Sequence, residues 1–284
     1  MARLPARIDT YYEPFVGGGA LFFALAAQRR FRRAVLGDAN EDLLEVYRAV
    51  QRDVEAVIRE LKHFRHAEEE YYRIRSLDSA KLSLAGRAAR LIYLNKTGYN
   101  GLYRVNRSGQ FNVPFGRHKN PTICDAENLR AAARVLKRIR LVRWDFERTC
   151  ALAGQSDAVY LDPPYLPVSK TANFTAYDRH RFGLPEHRRL ADVFSRLASR
   201  GVHAVLSNSD TPETRRLYEG LSVETVPASR LINSKADARG TVNELLVTSK
   251  LVAQLSYEEA VAHSAKKRRS QSSRSERSTA LPVE

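Results

Sequence analysis

The feature that most narrows the fold is an order of strand, turn and helix that occurs twice in succession. "RIDTYYEPFVGGGALFFALAA" reads as a short strand, a glycine-rich turn and an apolar helix, and "RAVLGDANEDLLEVYRAV" repeats that order. Two such units predict a parallel sheet of the α/β class. Leu43, Tyr47, Val50, Val54, Val57 and Leu61 keep helical spacing, so the second helix is long and amphipathic. From about residue 55 to residue 125 the texture changes. Helical patterns such as "GRAARLIYLN" lead into "KTGYNGLYRVNRSGQFNVPFGRHKNP", which fits no βαβ unit and reads as an insertion. The alternation then returns. It runs through a helix near 126–138, the strand "IRLVRW", a helix near 146–153, the strand "AVYLD", the helix "PEHRRLADVFSRLASR" and the strand "HAVLSN". A helix opened by Asp210, Thr211 and Pro212 follows, with closing strands near Val223 and Leu245. The expected organisation is a body of residues 1–54 and 126–256, an insertion over 55–125, and a disordered basic tail over 257–284. In such a sheet, ligands bind at the strand carboxyl ends.

Charge points to a polyanionic partner. The 284 residues hold 47 Lys and Arg against 32 Asp and Glu, a net charge of +15, and a balance of this kind suits nucleic acid, although an arginine-rich proteome gives it too. Two cysteines, Cys124 and Cys150, are too few for a disulfide scaffold or a four-ligand zinc site and fit a reducing, cytoplasmic setting. No apolar run approaches the ~20 residues that cross a bilayer, and the first residues lack a signal-peptide core, so no membrane partner is expected.

Two segments carry chemistry. Gly17, Gly18 and Gly19 follow a strand and open a helix, with Glu13 just ahead and Asp38 at the end of the next strand. Absent Cβ atoms let the backbone approach a ligand, and an acid at that second position suits ribose hydroxyls. A plain tight turn would also read this way, but the pair favours a nucleoside-containing cofactor. The second segment is "AVYLDPPYLPVS". Prolines cannot donate to a sheet ladder, so the strand stops at Asp162 and presents Asp162 to Tyr165 at its carboxyl end. On its own, a proline-rich strand exit with a capping acid is the minority reading of this segment.

These motifs, with "GDANEDLLEVY", "LSNSDTPETRRLY" and "INSKADARGTVNELLVT", resemble the Dam family of DNA adenine methyltransferases of the D12 class, alpha type, in the family's order from about Tyr11 to Ser249. The resemblance implies a Rossmann-like methyltransferase sheet with an inserted, mainly helical DNA-recognition domain. It also implies S-adenosyl-L-methionine as methyl donor, the exocyclic amino group of adenine as acceptor, double-stranded DNA as partner and no metal. A cytoplasmic, nucleoid-associated enzyme with a cognate restriction endonuclease fits the same picture. Asp162, Pro163, Pro164 and Tyr165 would form the catalytic segment. The Asp162 carboxylate and the Pro163 carbonyl would each take an amino hydrogen, and Tyr165 would stack on a flipped base. Glu13, Pro14, Phe15, Gly17, Gly19, Asp38 and Asp162 would hold the cofactor.

Between Lys96 and Lys119 lie Arg104, Arg107 and Arg117, no acid, and Tyr99, Tyr103, Phe111 and Phe115. This mixture suits a DNA-facing hairpin or, more plainly, a basic solvated loop. By resemblance Arg104 reads guanine in a GATC site, Tyr99 fills the gap left by the flipped adenine, and Asn100, Leu102, Asn106, Pro114 and Arg117 lie on bases or backbone. The family's Trp-Ala-Gly-Gly-Lys-type motif, ahead of the first strand, has no counterpart in the twelve residues before Glu13. A loosely closed cofactor pocket is therefore expected, with a catalytically weak DNA-binding remnant as the competing reading. Asp162 and Tyr165 alone would also suit an RNA adenine methyltransferase; the duplex-reading hairpin speaks against it.

Overall fold

The computed structural model describes residues 1, 3–106, 108–166, 182–229 and 241–251. Its centre is a seven-stranded sheet in the order β3-β2-β1-β4-β5-β7-β6. The strands are β1 (Ile8–Glu13), β2 (Phe31–Gly37), β3 (Arg140–Val142), β4 (Ala158–Leu161), β5 (His203–Ser209), β6 (Leu221–Ser229) and β7 (Thr241–Leu251). β1 to β5 pair in parallel, and β7 runs antiparallel to both β5 and β6. From β1 the chain steps outward to β2 and β3, then crosses back to β4 and continues to β5. The strand order therefore reverses between β1 and β4, and a crevice opens where Glu13 and Asp162 leave the sheet.

Both faces of the sheet are covered, which explains the nearly continuous apolar runs. On one side Tyr12, Val35, Val159, Leu161 and Leu206 pack against Phe146 and Cys150 of α6 (Phe146–Ala151) and Leu190, Phe194 and Leu197 of α7 (Leu184–Ser199). On the other, Ile8, Tyr11, Leu36, Ala158 and Val205 meet α1 (Ala20–Ala27), α2 (Glu41–Lys62) and α5 (Ala126–Leu136). α8 (Pro212–Leu217) is capped by Thr211, whose hydroxyl accepts the Thr214 N–H.

One expectation is corrected in detail. α2 is not a single continuous helix: Asp53 leaves helical geometry (φ −149°, ψ 81°), and its carboxylate restarts the helix by accepting the Ala56 N–H at 2.9 Å. Beyond this break, Val57 and Leu61 join Tyr71 and Ile74 of α3 (Glu68–Ser76) and Ala88, Tyr93 and Leu94 of α4 (Leu84–Thr97) in a third apolar cluster. Helical spacing continues through the kink because both halves present an apolar face. Residue 2, Arg107, residues 167–181 after "DPPYL", residues 230–240 including "INSKADARG", and residues 252–284 with the expected tail lie outside the described residues.

Candidate active site

The glycine turn is fastened from two sides. Gly17 N–H donates to Asp38 Oδ2 at 3.0 Å, and Tyr47 Oη donates to the Gly17 carbonyl at 2.9 Å. Asp38 Oδ1 also accepts the Asn40 N–H at 2.8 Å. Gly17 (φ +47°) and Gly19 (φ +66°) adopt the left-handed region that glycine tolerates best. The glycines differ in what surrounds them. A Cβ on Gly17 or Gly18 would meet nothing within 4 Å, whereas one on Gly19 would stand 2.7 Å from Tyr47 Oη. Gly17 and Gly18 thus leave an open surface for a ligand, and Gly19 makes room for the tyrosine. Burial raises the Asp38 pKa against the smaller opposing pull of backbone N–H donors.

Glu13 is turned into the protein. Its side chain is 2 % exposed, accepts Tyr11 Oη at 3.0 Å and meets the Phe22 N–H at the start of α1, whose own N-cap, Gly19, has no side chain to offer. Burial, with a further push from the Asp162 charge, raises its pKa to about 8. Pro14 is buried under the turn. Phe15 stands half-buried in an aromatic group with Phe146 (5.6 Å between ring centres) and Phe182 (5.5 Å). Phe146 and Phe182 were not expected here. Phe146 opens the helix just after the strand "IRLVRW" and Asp145, and is itself buried, while nothing in the sequence marks Phe182.

At the end of β4, Asp162 is exposed and its Oδ1 accepts Ser207 Oγ at 2.7 Å. Pro163 is buried, Pro164 is exposed, and Tyr165, 36 % exposed, donates to Glu244 Oε2 at 3.3 Å. Burial raises the Tyr165 pKa, and the negative charges of Asp162 and Glu244 add to this, so the phenol stays protonated.

The hairpin is closed by backbone pairs: Gly116 N to Thr97 O (2.8 Å), Tyr99 N to Pro114 O (2.9 Å), Asn112 N to Arg104 O (3.0 Å) and Asn106 N to Gln110 O (2.8 Å). From α3, Tyr71 Oη and Arg75 Nη1 both donate to the Val113 carbonyl, at 2.8 and 3.0 Å. Tyr99, Asn100, Arg104, Pro114 and Arg117 are exposed, with Asn100 in the left-handed region (φ +53°). Asn112 holds Arg104, its Oδ1 accepting Nε at 2.7 Å and its carbonyl accepting Nη2 at 3.0 Å. Leu102 is half-buried, and Asn106 spends its amide on its own turn, accepting from Ser108 N and Gln110 N.

Over residues 2–232 the chain matches the family model for D12 class N6 adenine-specific DNA methyltransferases. It belongs to this family. Among curated relatives, the type II methyltransferase M1.LlaDCHI of Lactococcus lactis subsp. cremoris is 40% identical over 254 residues, 87% of this chain and 88% of that protein. The type II methyltransferase M.MjaIII of Methanocaldococcus jannaschii is also 40% identical, covering 84% and 88%. The DNA adenine methylase of Escherichia coli K12 is 35% identical over 242 residues, covering 84% and 85%.

A D12-class enzyme uses S-adenosylmethionine, and this chain's residues fit that group. Open space stands over Gly17 and Gly18, Asp38 is positioned behind them, and Phe15 offers a ring beside the crevice. Among the described residues no three His, Cys, Asp or Glu side chains gather to hold a metal ion, and no helix is long and apolar enough to cross a membrane.

Proposed function

We propose that this methyltransferase acts on the adenine of GATC in double-stranded DNA, with the target base flipped out of the helix. The observation that carries the reading is an exposed, oriented carboxylate, Asp162, at the β1/β4 crevice with Tyr165 beside it. Adenine's amino lone pair is delocalised into the ring, so that nitrogen is a poor nucleophile until acceptors draw its hydrogens into place. Asp162 accepts a hydrogen bond from one amino hydrogen, and the Pro163 carbonyl, at a position that no longer pairs in the sheet, accepts one from the other. The lone pair is then aimed along the line of transfer. Bound S-adenosylmethionine supplies an electrophilic methyl group on its sulfonium. Tyr165 stacks on the base face, while Asp38 and the glycine turn hold the donor. The rate gain comes from positioning and preorganised electrostatics.

Target choice falls to the hairpin. Arg104 reads the two major-groove acceptors of guanine with its plane held by Asn112, Tyr99 fills the vacated space, and Asn100, Leu102, Pro114 and Arg117 line the duplex. The names of the two type II relatives support a further reading, in which the methylation protects DNA from an endonuclease that cuts the same site.

The test is transfer of labelled methyl from S-adenosylmethionine to duplexes with and without GATC, with Asp162→Ala as control, over a wide cofactor range. Methylated adenine confined to GATC is the expected result, with a high cofactor requirement if the pocket is loosely closed. DNA binding without transfer would favour the catalytically weak remnant instead.

A further inference from the structure

β5 is apolar until its last three residues. Ser207, Asn208 and Ser209 are all buried, at 6 %, 0 % and 5 % exposure, and such groups persist in a core only when they are hydrogen-bonded. All three reach across to the segment that follows β4. Ser207 Oγ donates to Asp162 Oδ1 at 2.7 Å, the Leu166 N–H donates to Asn208 Oδ1 at 3.3 Å, and Ser209 Oγ donates to the Leu166 carbonyl at 2.8 Å. The five residues from Asp162 to Leu166 are therefore held at both ends by one tripeptide of the neighbouring strand.

The protons in this network follow from valence. A carboxylate only accepts, so the single proton of Ser207 goes to Asp162. Tyr160 Oη lies 3.1 Å from Ser207 Oγ and must then be the donor of that pair. Burial pushes the Tyr160 pKa up to about 12, with the Asp162 charge adding to it, so the phenol keeps its proton. Asn208 Oδ1 faces two N–H groups, those of Leu166 and Ser209, which fixes the amide orientation and turns Nδ2 toward His187 Nδ1 at 3.3 Å. That ring nitrogen is the acceptor. Burial lowers the His187 pKa, outweighing the opposing pull of the Pro164 carbonyl, and keeps the ring neutral.

We propose that Ser207 is a positioning residue of the methyl transfer: the relay from Tyr160 through Ser207 occupies Asp162 Oδ1 and leaves Oδ2 to face the adenine amino group. This rests on the reading above, in which Asp162 accepts from that group. An exposed carboxylate free to turn about its Cβ–Cγ bond would present either oxygen in many directions. Anchoring one oxygen removes that freedom before the base arrives, while Asn208 and Ser209 fix the far end of the segment and with it the intervening proline carbonyls.

The experiment measures single-turnover methyl transfer to a short GATC duplex for wild type, Ser207→Ala, Ser207→Thr, Tyr160→Phe and Asp162→Ala. Binding is followed separately. Equilibrium dialysis with labelled S-adenosylmethionine gives the cofactor Kd, and anisotropy of a labelled GATC duplex gives the DNA Kd. Losing one hydrogen bond to a charged acceptor should slow Ser207→Ala about 10- to 100-fold, with cofactor and DNA Kd unchanged. Ser207→Thr, which keeps the hydroxyl, should restore most of the rate, and Tyr160→Phe should lose less than Ser207→Ala. A wild-type rate in Ser207→Ala, or a loss that tracks weakened binding and is not rescued by Thr, would overturn the proposal. If Ser207→Ala melts early, Ser207→Cys keeps the volume with a poorer donor and takes its place. Full transfer by Asp162→Ala would instead remove the reading beneath the relay, so the two failures are distinguishable.

Discussion

Replacing Glu13 with Gln should make the protein more stable at neutral and alkaline pH while leaving it unchanged near pH 4. Glu13 is 2 % exposed and its pKa is raised from an ordinary 4.5 to about 8, chiefly by burial. Between those two values the folded protein holds a proton that the unfolded chain has released. Stability therefore falls as pH rises through the window and levels off above about 8. The slope approaches about 1.4 kcal/mol per pH unit, so the interval sets an upper bound of about 5 kcal/mol. Water drawn toward the new charge recovers part of this, and a difference of about 2–4 kcal/mol at pH 9 is expected. Asp38, also raised, acts in the same direction, and His187, lowered, acts in the opposite one. Both are common to wild type and variant and cancel in the comparison. Urea unfolding from pH 4 to 9 gives the two curves, which should coincide near pH 4, separate between about pH 4.5 and 8 with the variant higher, and run parallel above that. Curves that stay parallel from pH 4 to 9 would refute a proton held on Glu13. The same pair tests the cofactor role implied by the family: with its carboxyl spent on Tyr11 and Phe22, Glu13→Gln should bind S-adenosylmethionine with wild-type affinity at pH 6, and a weakened Kd there would mean direct contact.

Three further outcomes are expected. Arg104→Ala should cost about 1–3 kcal/mol of discrimination at one base pair, and methylation of single-base variants of GATC checks this, an unchanged preference removing Arg104 as the guanine reader. Gly19→Ala adds a Cβ at φ +66° and 2.7 Å from Tyr47 Oη; it should destabilise the fold by about 1–3 kcal/mol and weaken cofactor binding by displacing the tyrosine that holds Gly17, as read by thermal melting and equilibrium dialysis with labelled S-adenosylmethionine. Asp53→Ala removes the cap that restarts α2 and should cost about 1 kcal/mol, with single-turnover methyl transfer at saturating cofactor and DNA unaltered; a loss of that rate would tie the kink to the chemistry.

The sheet was legible because its strands are short apolar runs separated by amphipathic helices and stopped by unmistakable residues, Gly17 after β1 and Pro163 after β4. The placement of Asp162 and the glycine turn was legible for the same reason, since both sit where a strand is forced to end. What stayed hidden depends on partners distant in sequence. Ser207 reads as an ordinary strand residue until β4 and β5 lie side by side and bring it to Asp162, 45 positions away. Asn112 reads as hairpin polarity until the turn folds it onto Arg104. Glu13's burial was hidden in the same way: a carboxylate beside a glycine turn suggests a ligand contact, and among the described residues it accepts from the Tyr11 hydroxyl and meets a backbone N–H of α1. The Asp53 kink was invisible because hydrophobic spacing records which face is buried and is blind to a local change in φ and ψ.

The attachment of the hairpin bears on how recognition and chemistry share one structure. Tyr103, next to Arg104, donates to Asp42 Oδ2 at 3.1 Å and lies 3.4 Å from Asn40 Oδ1. Asn40 caps α2 through Leu43 N and gives its own N–H to Asp38, the acid behind the glycine turn. Tyr103 thus joins the hairpin to the loop behind the glycine turn. These contacts are exposed, and each contributes at most about 1 kcal/mol, too little to hold the insertion in place. That work falls to the buried cluster of Val57, Leu61, Tyr71, Ile74, Tyr93 and Leu94. The division of labour follows: apolar packing sets where the insertion stands, and the Tyr103 bonds set the local alignment of Arg104 relative to the turn. A change at Tyr103 should therefore alter sequence preference and cofactor affinity together while leaving the melting temperature nearly fixed.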